Sequence, residues 1–269
     1  MKTRIPITIT LGATLAFALT LACVPLAARA EGTVGTGNFS TAFASRYVWR
    51  GQTLSKGVVA QPTVGITLGG FSANFWSNVD LDTEEKGDDG IVLNETDITL
   101  SYAVPVGPVT LTGGFIHYDF DGVAGTGGTE TTTGSDTQEV YLTAAVATLL
   151  NPTLTLSYDI DNGKGGFAVL ALSQAIPAGP LSLTAGGSLG LNLKDKAMGL
   201  NADGKNFAGL YYGEVYLSTS IKIFNHVSID PRIAYSSAIG SDGQDAIASV
   251  SVDGKKSIFY GSVALTAAF

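Results

Sequence analysis

The sequence predicts an all-β protein, an antiparallel up-and-down transmembrane β-barrel of about twelve strands. Short segments in which apolar and polar residues alternate recur along the chain between turn residues, as they do in barrel strands. The links between these segments are alternately short and long, which is typical of outer-membrane barrels with short periplasmic turns and longer extracellular loops. After residue 30, no apolar run reaches the roughly 18 residues that indicate a membrane-spanning helix.

The first thirty residues have the features of a secretory signal peptide. Two basic residues precede an apolar run over residues 5–26, and Ala28-Arg29-Ala30 is a small-x-small cleavage site. Lipidation at Cys23 is the alternative, but the residues before it match the lipoprotein pattern poorly and the apolar run continues past it. We therefore expect cleavage after Ala30, leaving residues 31–269 as a single barrel domain in the outer membrane of a Gram-negative bacterium.

The chain left after cleavage is acidic and has no cysteine. The removed segment carries three of the fifteen basic residues and none of the twenty-three acidic ones, so the remainder is more acidic than the net charge of −8 of the whole sequence. An exported chain of this length without disulfides needs a large core or a membrane to hold it. An acidic balance with few arginines argues against nucleic acid as a partner.

The predicted strands are separated by recognisable turns, such as Gly69-Gly70, Asn151-Pro152 and Phe224-Asn225. An even number of strands places both chain ends at the rim of short turns, where an exported chain arrives. Pro231 lies inside a predicted strand and indicates a local bulge. The twelve predicted strands are residues 38–49, 58–68, 71–81, 93–104, 109–120, 137–149, 154–161, 167–176, 181–192, 210–223, 226–239 and 257–269.

The last predicted strand is long enough to span a bilayer and ends on an aromatic residue, Phe269. Val263 and Leu265 share the apolar face with Phe269, while Ser262 and Thr266 lie on the other face. An open strand edge in lipid would leave unpaired backbone groups that cost several kcal/mol each, so this strand must pair with the first. We expect Phe269 to be a terminal assembly signal for the outer-membrane insertion machinery.

A soluble sandwich or propeller is the alternative fold, because both also contain many short strands with glycine-rich turns. A soluble sheet would expose its polar face and bury its apolar face. In this chain the polar face carries charges and small residues, and the segments are long for sandwich strands. The pattern therefore favours a barrel whose apolar face meets lipid.

Charged residues within the strands are assigned to the lumen, because an Arg or Lys facing lipid at the midplane costs roughly 2–4 kcal/mol. In the strand over residues 210–223, for example, Val215 and Leu217 lie on one face, and Glu214 and Lys222 lie on the other. The predicted lumen-lining charged residues are Arg46, Arg50, Asp80, Glu95, Asp97, Glu139, Asp159, Asp161, Glu214, Lys222, Asp230 and Arg232.

The inward residues of the strands over 181–192 and 257–269 are small, which predicts a narrow channel that contains water. Carboxylates outnumber bases on the lumen face, and a ring of carboxylates favours cations. The same charges could instead pair with one another and hold a closed barrel together. Both interpretations are open at this point.

The first three predicted strands contain Ser45-x-Tyr47-x-Trp49-Arg50-Gly51, then Gln61-Pro62, then Trp76-Ser77-Asn78-Val79-Asp80. With these residues, the region 43–80 resembles the outer-membrane porins of the TorF family. The resemblance implies an outer-membrane barrel with a channel role, and it implies no catalytic residues.

Catalysis by a barrel of the lipase type would need a histidine held close to a serine nucleophile. The chain has only His117 and His226, both near predicted strand ends, and we predict no catalytic site and no cofactor. The acidic run 82–89 lacks the glycine placement of a Ca²⁺ loop, so no metal site is predicted.

The sequence thus predicts a non-enzymatic outer-membrane channel for passive diffusion of small polar solutes or ions, mildly selective for cations. Its partners would be outer-membrane lipid, the solutes and the insertion machinery; no oligomeric state is predicted. A closed structural or surface-interaction barrel is the alternative, and a lipid-modifying enzyme is a more distant one.

Overall fold

The computed structural model describes residues 35–81, 91–120 and 136–269. The predicted signal peptide and the acidic run 82–89 lie outside these residues, so both predictions stay as they are. Within these described residues, one helix, α1 (Gly240–Val250), and a short 3-10 helix (Lys196–Met198) accompany the strands. The strands are β1 (Thr36–Ala44), β2 (Tyr47–Trp49), β3 (Gln52–Ser55), β4 (Val59–Leu68), β5 (Phe71–Asp80), β6 (Val92–Val106), β7 (Val109–Phe120), β8 (Thr137–Val146), β9 (Thr153–Asp159), β10 (Gly166–Ala178), β11 (Leu181–Leu193), β12 (Ala208–Thr219), β13 (Ile221–Phe224), β14 (Val227–Ala238) and β15 (Ser257–Ala268).

The strands form a closed antiparallel barrel. Each barrel strand pairs with the next one along the wall, β12 pairs with β14, and β13 continues the line of β12. β1 pairs with β4 on one side and with β15 on the other, from Asn38 opposite Ala268 to Ala44 opposite Ser262. Twelve strand positions therefore surround the lumen, which confirms the predicted barrel.

The outer wall is apolar, as a lipid-facing surface must be. Phe75, Leu100, Val215 and Leu265 are all exposed large hydrophobic side chains on the outward positions of their strands. The charged members of the same strands point the other way. This arrangement of apolar and charged faces is the reverse of that in a soluble sheet, and it is expected of a barrel that spans a membrane.

No helix in the described parts of the chain is long and apolar enough to cross a membrane.

Short turns lie at one rim of the barrel and long links at the other. Positive φ angles at Gly69, Gly107 and Gly179 allow the tight turns after β4, β6 and β10. Phe269 ends the chain at this same rim, where its backbone exchanges hydrogen bonds with Gly37. Both ends of the described barrel therefore lie at the rim of short turns, as predicted.

The first predicted strand, residues 38–49, is too long, because β1 ends at Ala44. The link that follows does not extend outward. Instead, β2 and β3 form a hairpin in which Tyr47, Gln52 and Thr53 are buried. The alternation of β1 continues into β2, so the sequence pattern alone does not mark the point where the chain leaves the wall.

The link before β15 contains α1, which the sequence analysis assigned to an irregular loop. Ala246 and Ile247 on this helix are buried against the apolar cluster inside the barrel. Glycine, serine and aspartate dominate the first turn of α1 and conceal its short apolar face. Tertiary packing on that face, and not intrinsic helix propensity, accounts for the helix.

Two prolines interrupt the hydrogen-bond ladder without shifting it. The pairing of β4 with β5 skips Gln61 and Pro62 and resumes in the same register at Thr63. Likewise, the partners of β14 pass from Arg232 to Ile229 without a shift. The bulge predicted at Pro231 is therefore wrong: the missing N–H is accommodated by a gap in the ladder at the break between β12 and β13.

Candidate channel lumen

The lumen is crossed near its long-link rim by the inward hairpin, which we define as β2, β3 and the turn between them. Trp49 pairs with Gln52, and the two turn residues have positive φ angles, 47° at Arg50 and 81° at Gly51. These are the dihedral angles of a type I′ hairpin turn. A Cβ at Gly51 would lie 2.7 Å from the Cβ of Tyr212, so glycine is also required for the close fit to the wall.

Arg50 anchors the tip of the inward hairpin. Its Nη1 donates to Glu139 Oε1 at 2.8 Å and its Nη2 donates to Glu139 Oε2 at 2.7 Å. The guanidinium also lies 4.4 Å from the ring centre of Trp49 and 4.5 Å from that of Phe167. A two-pronged ion pair with aromatic stacking is the geometry for which arginine is suited and lysine is not.

The rest of the hairpin is bound to other parts of the wall and to the link that carries α1. The Tyr47 hydroxyl donates to Glu95 Oε1 at 3.1 Å, and the Ser55 hydroxyl bonds to Asp80. The Thr53 backbone N–H donates to Ser251 Oγ at 3.1 Å. Because these partners lie on β5, on β6 and after α1, the hairpin spans the interior and narrows it.

An apolar cluster fills the space on the other side of the hairpin tip. It joins the wall, the 3-10 helix and α1, and the Tyr211 hydroxyl donates to the Met198 carbonyl at 2.8 Å. Its buried members are Phe167, Met198, Phe207, Tyr211, Tyr212, Ala238, Ala246 and Ile247. The long-link half of the lumen is therefore packed like a small protein core.

A second charged group lies on the wall formed by β12, β14 and β15. Arg232 Nη2 donates to Glu214 Oε1 at 2.6 Å, and the Tyr260 hydroxyl donates to Glu214 Oε2 at 2.6 Å. The Arg232 guanidinium lies 4.5 Å from the ring centre of Tyr216. Glu214 is thus held by a base and a hydroxyl, and its charge is largely offset.

Between the hairpin and this wall lies a cavity of about 290 Å³, which we call the side passage. Arg46, Asp97, Arg232, Trp76 and Tyr260 are among its lining residues. Arg46 is held by Asp253 at 3.0 Å, whereas Asp97 is in no salt bridge among the described residues. The side passage is thus an unfilled space beside the hairpin, lined by both charged and aromatic side chains.

Glycines on the lumen face make room for tyrosine rings, which the sequence analysis did not foresee. A Cβ at Gly186 would lie 2.5 Å from Tyr216 Cζ, and one at Gly114 would overlap the ring of Tyr141. These tyrosines therefore lie flat against glycines of the neighbouring strand. Glycine on the lumen face therefore makes room for an aromatic ring along the wall.

The predicted lumen charges occupy several different environments. Asp80, Glu95, Glu139 and Asp159 are buried inside the long-link half. Asp97, Glu214, Asp230 and Arg232 lie on inward positions of the wall, and Arg46 and Arg50 enter the lumen before and within the hairpin. Lys222 is exposed near the short-turn rim, in β13.

Asp161 does not lie on a strand. β9 ends at Asp159, so the predicted strand over 154–161 is too long and Asp161 is exposed in the link that follows. Asp195, which the sequence analysis did not single out, is buried just after β11. Burial raises the pKa of the Asp195 carboxyl to about 6. Asp195 lies in a polar link where apolar and polar residues do not alternate, so no sequence pattern could have identified it.

Within the described residues, neither histidine is part of an arrangement of catalytic type. His117 pairs with Ile98 and Gln138 on the outward-facing side of β7, and His226 is exposed in a short turn. Among the described residues, no hydrogen bond joins either histidine to a serine.

No protein-family model matches the sequence, and no curated protein matches it. Solved structures similar to this chain include the KdgM porin, with a TM-score of 0.49 and 10% identity over 87% of this chain and 99% of that one. An outer membrane channel from Pseudomonas putida F1 has a TM-score of 0.46 and 11% identity, over 88% and 95% of the two chains. The NanC porin has a TM-score of 0.44 and 10% identity, over 86% and 98%. We assign no function from similarities this low, and membership of the TorF family stays a prediction.

Proposed function

We propose that the protein is an outer-membrane channel of Gram-negative bacteria for passive diffusion of small polar solutes or ions. The observation that carries the proposal is the side passage, a cavity with charged and aromatic lining that remains beside the inward hairpin. A barrel that served only as a structural element would have no need of an unfilled space lined by charged side chains beside this hairpin. The hairpin limits the size of the solute, and the wall charges select among solutes.

Conductance of the purified protein in planar lipid bilayers tests the proposal. Discrete single-channel currents are expected, with small steps because the passage is narrow. An absence of current from correctly folded protein, judged by heat-modifiable gel migration, would favour the closed structural barrel. Permeation of uncharged sugars of increasing size into protein-loaded vesicles would then measure the width of the passage.

We further propose a mild preference for cations. The three arginines of the lumen are each paired with a carboxylate: Arg46 with Asp253, Arg50 with Glu139 and Arg232 with Glu214. Further carboxylates remain, since no salt bridge among the described residues joins Asp97 or Asp230 to a base. An excess of negative charge on a narrow pore wall attracts cations and repels anions.

Replacing Asp97 with Asn should reduce the cation preference, because the substitution removes a charge from the side passage and keeps the size of the side chain. Reversal potentials across a salt gradient measure this change, which should be larger at low salt where screening is weak. Asp161→Asn is the matched control, because Asp161 is exposed outside the lumen. Glu214 is a poorer choice for this test, since its removal would also release Arg232 from its partner. A preference for anions in the unaltered protein would contradict the proposal.

The proposed interaction with the insertion machinery can be tested at Phe269. Phe269→Ala should lower the amount of barrel assembled in the membrane without changing synthesis. The substitution keeps the backbone hydrogen bonds with Gly37 and removes only the ring, which is 53% exposed. Phe224→Ala at the same rim is the control, because Phe224 is also an exposed aromatic residue. Equal assembly of all three proteins would mean that the terminal ring is not a signal.

A further inference from the structure

Three buried carboxylates meet on the far side of the hairpin anchor. Glu139, Asp159 and Asp195 are each almost inaccessible to solvent. One carboxylate oxygen from each lies within 4.8 Å of the others. The three residues come from β8, from the end of β9 and from the link after β11, so the fold brings together positions that are far apart in sequence.

Donors on the periphery of this group fix the orientation of Asp159. Its Oδ1 accepts hydrogen bonds from the backbone N–H groups of Asp161 at 2.9 Å and Lys164 at 3.3 Å. Its Oδ2 accepts one from Thr137 Oγ1 at 2.6 Å. Such outer hydrogen bonds, which hold a carboxylate in place while a lone pair stays available, are typical of metal ligands.

Asp195 supplies the observation that points to a missing ligand. Its Oδ1 accepts a hydrogen bond from the Ala197 backbone N–H at 2.9 Å, but its Oδ2 is buried without any hydrogen-bond partner. A Cβ at Gly163 would overlap the carboxylates of both Asp195 and Asp159, so the glycine lets the link close over them. A buried, unsatisfied carboxylate oxygen is costly unless a cation or a proton compensates it.

The negative charges of the three carboxylates exceed the positive charge that Arg50 brings to them. Arg50 occupies both oxygens of Glu139, and no salt bridge from a described residue reaches Asp159 or Asp195. The two aspartates are therefore left as like charges close together in a buried site, which is strongly unfavourable. A divalent cation would offset both charges at once.

We propose that Glu139, Asp159 and Asp195 bind a calcium ion. Ca²⁺ takes oxygen ligands at about 2.3–2.6 Å, so three oxygens within 4.8 Å of one another can converge on one ion with side-chain adjustments of a few tenths of an ångström. No hydrogen-bond donor occupies Asp195 Oδ2, so this oxygen is available to the ion. The site ties β8, β9 and the link after β11 together behind Arg50, and it goes beyond the proposed channel function because it does not depend on conduction.

Metal binding to the refolded full barrel in detergent tests this proposal. After treatment with a chelator, terbium should give sensitised luminescence, because the Tyr118 hydroxyl donates to Glu139 at 3.4 Å and the ring lies close to the site. Calcium should displace terbium, and it should raise the thermal unfolding temperature of the barrel. Magnesium should compete poorly, because it requires a smaller octahedral site.

Asp195→Asn is the decisive variant, since it removes the charge of the unsatisfied carboxylate and preserves its shape. It should weaken calcium binding by roughly tenfold or more and abolish the calcium-dependent rise in unfolding temperature. Asp203→Asn, in the same link after β11 but exposed and outside the cluster, should bind as the unaltered protein does. Loss of binding in Asp203→Asn alone, or no calcium effect on the unaltered protein, would overturn the proposal. An Asp195→Asn barrel that is more stable than the unaltered protein with calcium present would also overturn it, because a proton would then be the natural compensation.

Discussion

Replacing the inward hairpin with a two-residue turn is expected to raise single-channel conductance several-fold. Ala44 and Val59 are directly paired at the ends of β1 and β4. An Asn-Gly sequence in place of residues 45–58 can therefore join these neighbouring antiparallel strands in a type I′ turn without altering their register. The hairpin crosses the lumen beside the side passage, and its removal would leave the barrel wall, α1 and the 3-10 helix as the boundary of the pore.

Planar bilayer recordings measure this effect, and uptake of larger sugars into vesicles should rise with it. Deletion of residues 202–204 is a suitable control, because it shortens an exposed turn at the same rim without touching the hairpin. An unchanged conductance would mean that solutes do not pass the hairpin. If the shortened barrel fails to assemble, Arg50→Met provides a second test, because it keeps the chain length and frees the hairpin tip to move, and it should give larger and noisier currents.

Arg50→Met should also destabilise the barrel by about 3–5 kcal/mol, since it leaves Glu139 buried without its counter-charge. The side chains of Arg50 and Glu139 are only 11% and 2% exposed, so solvent cannot compensate the loss. Lys256→Met is the matched control. Its pair with Asp245, at 3.6 Å, is 45% and 40% exposed, and such surface pairs contribute about 0–1 kcal/mol.

Urea unfolding of the barrels in lipid vesicles would give both free energies on one scale. The double variant Arg50→Met with Glu139→Gln should lose less unfolding free energy than the two single variants lose in sum. When both substitutions are present, no buried charge is left without its partner. Equal, small losses at Arg50 and Lys256 would show that the buried pair does not hold the hairpin.

The barrel wall was predictable because its signal is local. Leu265 and Thr266 fall on opposite faces by alternation alone, and a closed ring follows from the rule that no strand edge can face lipid. The cost of a charged side chain in lipid placed Glu214 and Arg232 in the lumen. What alternation could not supply was the partner of each charge, since Glu214 meets Arg232 only through the register of β12 and β14.

The hairpin was missed because its stabilising contacts are non-local. Tyr47 and Trp49 extend the alternation of β1, and only their contacts with Glu95 and Arg50 show that they belong to an inward segment. In retrospect, Arg50-Gly51 between two short alternating runs resembles a hairpin turn. The sequence analysis interpreted it as part of a long external link, because a turn that folds inward and one that folds outward have the same local sequence.

The barrel is completed by strands from opposite ends of the chain. Asn38 pairs with Ala268, so this junction cannot form until both β1 and β15 are available. Pairing between such distant segments is slow, because loop-closure entropy opposes it. Pro62 and Pro231 interrupt the ladders on either side, so β14, β15, β1 and β4 form a seam bounded by weakened joints. We therefore expect this seam to be the last part of the barrel to close during folding.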